Sequence, residues 1–168
     1  MHTTKSGESK YYVDHMRAEH RRLEHLIQRA LATIPAWEDR DAPQWMPRTA
    51  EGLVAIRNEL VHHFHDEEQG GCLEEAVARK PQLSCEVQRI ESQHEELLER
   101  LDELIGRCES ARRPSTAQVQ ATELELRQLV RELRQHEVLE IRIMQQGFDV
   151  VVDEMPPAAG AKSASPLE

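Results

Sequence analysis

Four long segments of the chain place apolar residues at alternating steps of three and four, the spacing that returns to one face of an α-helix. The first stripe reads Val13, Met16, His20, Leu23, Ile27, Ala30 and Ile34, predicting a helix from about Tyr11 to Ile34 that Pro35 ends. The second carries Leu53, Ile56, Leu60, His63 and Glu67 on a helix starting near Thr49. Gly70 and Gly71 weaken that helix, and LEEAVARK is expected to prolong it irregularly to Pro81. The third starts at or just after Pro81, a favourable first-turn residue, and reads Leu83, Val87, Ile90, His94, Leu97, Leu101, Leu104 and Cys108. The fourth follows the connector RRPST, where Ser115 or Thr116 supplies an N-cap. Its stripe is Val119, Thr122, Leu126, Leu129, Leu133, His136, Glu140, Ile143, Gly147 and Val150.

Short connectors between such helices predict an all-α, antiparallel up-down-up-down four-helix bundle. Each stripe carries one histidine, His20, His63, His94 and His136, and counting residues from each turn puts all four at one level of the interior. Two of them have a glutamate four residues on, on the same stripe: His63 with Glu67 and His136 with Glu140. Buried carboxylates without partners are costly, so they pair or hold metal. A hydrogen-bonded polar layer without metal is the competing reading.

Composition narrows the picture. In 168 residues only 4% are aromatic, and the net charge of −10 comes without a dense basic run, which argues against nucleic acid or an anionic membrane as partner. Apolar runs are too short to span a bilayer, and MHTTKSGESK lacks the apolar core of a secretion signal, so a cytoplasmic protein is expected. Three cysteines without a C-x-x-C pair suit reduced thiols: Cys108 as a small buried apolar residue, Cys72 and Cys85 beside the second turn with nothing near to activate them. Residues 1–10 are expected to be a flexible lead, 11–154 the bundle and 155–168 a disordered tail. Trp37 and Trp45, in the Pro-rich connector, are expected to cover one end of the bundle. No exposed apolar stripe is evident, so a monomer is expected.

Four imidazoles and two carboxylates exceed what one structural zinc needs, and no cysteine joins them. Mixed nitrogen and oxygen donors on facing helices suit a pair of redox-capable ions, iron foremost, with manganese or zinc as substitutes. Two carboxylates can each bridge two ions, leaving two histidines per ion and open positions for dioxygen, nitric oxide, peroxide or a bridging oxygen atom. Glu24, one turn after His20, is a candidate further ligand or a hydrogen-bond acceptor for one. Glu68 points about 100° away from Glu67 and falls outside direct ligation. His2, His15, His25, His62 and His65 lie off the stripes and are expected in solvent, and the Glu/Arg-rich EELLERLDEL reads as a solvated face.

The motifs EHRRLEHLI, HFHDEE, SQHEELL and HEVLE, in this order over about residues 10–150, resemble the hemerythrin-like, or HHE cation-binding, domains. The resemblance implies two iron ions, with His20, His63, Glu67, His94, His136 and Glu140 as ligands and the two glutamates as bridges. Oxygen-carrying hemerythrins place two ligand histidines one turn apart on the third helix and a His-x-x-x-x-Asp pair on the fourth. Here Ile90 and Leu98 flank His94 and residue 141 is Ile, so the ligand set looks more like the di-iron domain of the repair-of-iron-centres proteins. The implied function is binding or sensing of oxygen, nitric oxide or iron. The alternatives are a di-iron enzyme of peroxidase, ferroxidase or nitric oxide reductase type, an iron-centre repair protein, and a metal-free interaction bundle. A ferritin-like site is disfavoured, because no Glu-x-x-His lies on a stripe.

Overall fold

The structure, a computed structural model, describes residues 3–34, 45–69, 71–111 and 113–150, with side chains from residue 11 onward. It is built from α1 (Thr3–Leu31), α2 (Trp45–Gln69), the short α3 (Cys72–Arg79), α4 (Ser84–Ser110) and α5 (Thr116–Phe148), with a 3₁₀ turn at Pro81–Leu83 leading into α4. Among the described residues there is no strand. The four long helices form a closed ring in which α1 packs on α2 and α5, and α4 packs on the same two. The stripes are the buried faces; of their residues only Ile34 and Val150, at helix ends, remain partly exposed. No helix among the described residues is long and apolar enough to cross a membrane.

Local chemistry explains the boundaries. Ser115 caps α5 as half of a capping box: its hydroxyl accepts from the Gln118 N–H while the Gln118 side chain accepts from the Ser115 N–H. Gly71, at φ 74, breaks the chain between α2 and α3, a left-handed conformation that costs glycine little. LEEAVARK therefore belongs to a separate helix rather than to an irregular extension of α2. The first helix also begins at Thr3 instead of near Tyr11, since nothing in the stretch before Tyr11 blocks helical hydrogen bonding. The second begins at Trp45 instead of Thr49, with Pro47 tolerated in a first turn that needs no internal N–H bond.

α3 lies against the end of α5. Its Leu73 and Ala76 are buried, Arg79 stacks 4.6 Å above the Phe148 ring, and Lys80 reaches Asp149 at 3.1 Å. A Cβ on Gly147 would meet the Ala76 Cβ at 2.6 Å, so the close approach needs the glycine. Two apolar clusters result. The larger runs from Leu23, Leu60, Leu97 and Leu133 to Trp45, Cys108 and Val119 at the far end; the smaller joins α3 to Val13, Met16, Val87, Ile90, Ile143 and Phe148. Trp45 covers its end as expected, while Trp37 and the tail from 155 to 168 lie outside the described residues.

The arginines of the polar faces do not only decorate single helices. Arg22–Glu59 joins α1 to α2, Arg57–Asp102 α2 to α4, Arg100–Glu132 and Arg107–Glu125 α4 to α5, and Arg134–Glu24 α5 to α1. Exposed pairs of this kind stabilise a fold little, because water and salt screen them. These pairs are distributed round the ring, on every one of its four helix–helix interfaces.

Candidate metal centre

Between the two apolar clusters the interior turns polar. His20, His63, Glu67, His94, His136 and Glu140 are all buried there, Glu140 completely. Two groups of four have ligand atoms within 4.8 Å of one another: His20, His63, Glu67 and Glu140, and Glu67, His94, His136 and Glu140. Both contain the two glutamates. One half of the layer is thus contributed by α1 and α2, the other by α4 and α5, with Glu67 and Glu140 between them.

Three of the rings are held from behind by acceptors on the neighbouring helix. The Nδ1 of His63 meets Glu19 Oε2 at 3.2 Å, that of His94 meets Glu68 Oε1 at 2.7 Å, and that of His136 meets Gln93 Oε1 at 3.0 Å. An acceptor at Nδ1 fixes the N–H there and leaves Nε2 with its lone pair aimed inward, the arrangement that orients metal-ligating histidines. Aromatic packing holds the rings sideways. Phe64 stacks on His94 at 3.9 Å and meets His136 edge-on at 5.3 Å, while His20 meets His63 edge-on at 5.0 Å.

The inward atoms are poorly satisfied. His63 Nε2 lies 3.5 Å from both Glu67 Oε1 and Glu140 Oε2, and His94 Nε2 lies 3.3 Å from Glu67 Oε2. His136 Nε2 approaches Glu140 Oε1 at 2.6 Å without hydrogen-bond geometry, whereas His20 Nε2 does hydrogen-bond Glu140 Oε2 at 2.9 Å. As a result the Nε2 atoms of His63, His94 and His136, Glu67 Oε2 and Glu140 Oε1 are buried with no hydrogen-bond partner. Each such atom costs about 1–3 kcal/mol if left so. Imidazole nitrogens and carboxylate oxygens converging in this way are the donor set that divalent transition ions take, so the residues present fit a metal pair.

The electrostatics point the same way. Burial pushes the imidazoles of His20, His63 and His94 down, but the facing carboxylates, Glu140 for the first two and Glu67 for the third, outweigh it and all three are raised, His63 strongly. Burial and the charge of Glu140 push Glu67 up. Glu140 would also be raised by burial, yet the charges of His136 and His63 and the hydrogen bond from His20 hold it well below the usual carboxylate range. A bound cation would have to displace any protons these groups hold.

Several residues at this layer lie off the stripes. Glu19 and Gln93 immediately precede His20 and His94, but each serves the histidine of the next helix, a relation invisible within one helix. Phe64 follows His63 and could be read only as an ordinary core residue. Glu137, next to His136, is also buried; its Oε1 has no hydrogen-bond partner, and burial raises its pKa. Glu24 is engaged elsewhere, with Arg134 at 2.8 Å and Gln28 at 2.7 Å, and Glu68 contacts a ring from outside. His15, His25, His62 and His65 are exposed as expected; His2 lies outside the described residues. The Cys72 thiol is pushed up to about 12 by burial and then by the charges of Glu67 and Glu140. Cys108 is buried in the larger apolar cluster, and Cys85 is exposed.

An all-helical bundle with a buried, carboxylate-linked histidine layer is the architecture of a cation-binding helical protein. The chain matches the family model described as the hemerythrin HHE cation binding domain over residues 11–147, and it belongs to that family. No curated protein and no solved structure matches it.

Proposed function

We propose that this protein holds a pair of iron ions in the buried layer and through them binds or senses a small ligand such as dioxygen or nitric oxide. His20 and His63 would serve one ion, His94 and His136 the other, with Glu67 and Glu140 shared; manganese or zinc would suit the same donors. The observation that carries this reading is the pair of four-residue groups that overlap at both glutamates. An iron pair supplies open coordination positions and a change of oxidation state. The chain's own residues do the rest. Glu19, Glu68 and Gln93 aim the rings, Phe64 immobilises two of them, and the leucines below exclude water.

Access is narrow. A pocket of about 250 Å³ between α4 and α5 has His136 in its wall, with Arg89, Gln93, Leu97 and Leu139 around it. That volume admits a diatomic molecule or peroxide, and the buried layer behind it shows no groups arranged around an organic substrate.

Anaerobic loading with ferrous iron should give two tightly held equivalents, lost in Glu67→Ala or Glu140→Ala. Admission of nitric oxide or air should then change the visible spectrum of the native protein and leave both variants unchanged. Uptake of fewer than two equivalents by the native chain would refute the proposal. Sustained turnover of peroxide or nitric oxide would make the protein an enzyme rather than a carrier or sensor.

A further inference from the structure

A second group of ligand-type side chains lies outside the buried layer. His15 and Glu19, one turn apart on α1, converge with Asp66 on α2, and one atom of each lies within 4.8 Å of the others. His15 Nε2 is 3.4 Å from Asp66 Oδ2 and 3.5 Å from Glu19 Oε1. His15 and Asp66 are about half exposed, at 43% and 48%, whereas the Glu19 side chain is only 5% exposed. The two oxygens of Glu19 face different ways: Oε2 holds His63 Nδ1 at 3.2 Å, while Oε1 faces the outer group.

That outward oxygen is the telling atom. It is part of a buried carboxylate, and the hydrogen bond it accepts from Arg22 Nη2 is long, 3.5 Å, as is its 3.5 Å contact with His15. A charge-assisted hydrogen bond is normally about 2.7–2.9 Å. Arg22 does not close the gap, because its Nε is committed to Glu59 at 2.7 Å. Register along the helices supplies an internal comparison: aligning α1 with α4 at His20 and His94, and α2 with α5 at His63 and His136, puts Arg89, Gln93 and Leu139 at the positions of His15, Glu19 and Asp66. The fold does not require a ligand set at this place, and only one side has one.

We propose that His15 Nε2, Glu19 Oε1 and Asp66 Oδ2 form an outer site for a divalent cation, completed by water and joined to the buried layer through the Glu19 carboxylate. One nitrogen and two carboxylate oxygens at a solvent-facing edge suit manganese, ferrous iron or zinc held more weakly than in the enclosed layer. The site stands on its own residues and does not depend on what the buried layer does.

The test uses the full chain loaded with zinc and then desalted: the enclosed layer keeps its ions, which mixed nitrogen and oxygen sites hold more tightly than manganese, while the weaker outer site empties. Manganese is then titrated while the free ion is followed by electron paramagnetic resonance. The native protein should bind one manganese that Asp66→Asn and His15→Gln each weaken at least tenfold. Asp14→Asn, an exposed change of equal charge on the same helix, should leave it unaltered. Equal manganese binding by the native protein and both cluster variants overturns the site, as does an equal loss in Asp14→Asn. Failure of the buried layer shows separately, as missing tight zinc before any manganese is added.

Discussion

Two adjacent layers of this bundle occupy equivalent positions and differ in chemistry. His20, His63, His94 and His136 have neighbours Leu23, Leu60, Leu97 and Leu133 three residues away, forward on α1 and α4 and backward on α2 and α5. That alternation is the signature of antiparallel helices, and all eight side chains are buried. In the leucine layer burial is itself the stabilising term, about 1.5–3 kcal/mol for each side chain. In the histidine layer burial is a cost, and the five unsatisfied inward atoms show that protein groups alone do not recover it. The first layer is complete without a ligand. The second is built to be completed by one.

The largest effects should separate the layers outright. Ions present at about a thousand times their dissociation constant add about 4 kcal/mol to the folded state. Chemical denaturation with ferrous iron or zinc, against chelator, should show an increment of that order. Glu140→Ala should abolish the increment. Leu133→Ala should cost about 2–5 kcal/mol by opening a cavity, equally with and without ions. An ion-dependent cost at Leu133, or an increment that survives loss of Glu140, would erase the distinction between the layers.

The stripes, their histidines and the two trailing glutamates were legible in the sequence because helical period and burial act along one segment at a time. Ser115 was legible for the same reason, since a cap is local. What stayed hidden depends on neighbours. Glu19 supports His63, Glu68 supports His94 and Gln93 supports His136, each across an interface that spacing along one helix does not encode. The separate α3 was missed because its helical pattern gave no sign that Gly71 would adopt φ 74 and let Ala76 settle against Gly147. The solvated faces were read correctly, but not their pairing: Arg57 and Asp102 are exposed charges that join α2 to α4.

Proton competition gives a smaller, graded distinction. His20, His63 and His94 have pKa values raised above 6.5, so without metal their stabilising contribution is present below that value and is lost as pH rises through the folded values. Metal affinity runs the other way, improving by up to about tenfold per pH unit for each proton displaced. The stability gap between zinc-loaded and chelated protein should therefore widen from pH 6 to 8, while the cost of Leu133→Ala stays flat. A gap that narrows with pH would mean that ions enter without displacing imidazole protons.

The smallest test uses two thiols as reporters, one beside the histidine layer and one at the far end of the larger apolar cluster. Cys72 is pushed up to about 12 by burial, with the charges of Glu67 and Glu140 as the next causes, and its Sγ lies 3.8 Å from the Glu67 carbonyl oxygen. Cys108 is pushed up to about 11, mainly by burial, and neither layer glutamate contributes to its shift. Filling the layer with zinc neutralises those two carboxylates, so the Cys72 pKa should fall while that of Cys108 stays where it is. The measurement is the midpoint of the alkylation rate against pH for each cysteine, read by mass spectrometry in a Cys85→Ser background. Midpoints are compared rather than rates, because bound ions also suppress the opening motions that admit the reagent. A shift at Cys72 alone would place the added charge at the glutamates. Equal shifts at both thiols would mean that zinc acts on the fold as a whole, and the contrast between the layers would then lie in packing rather than in charge.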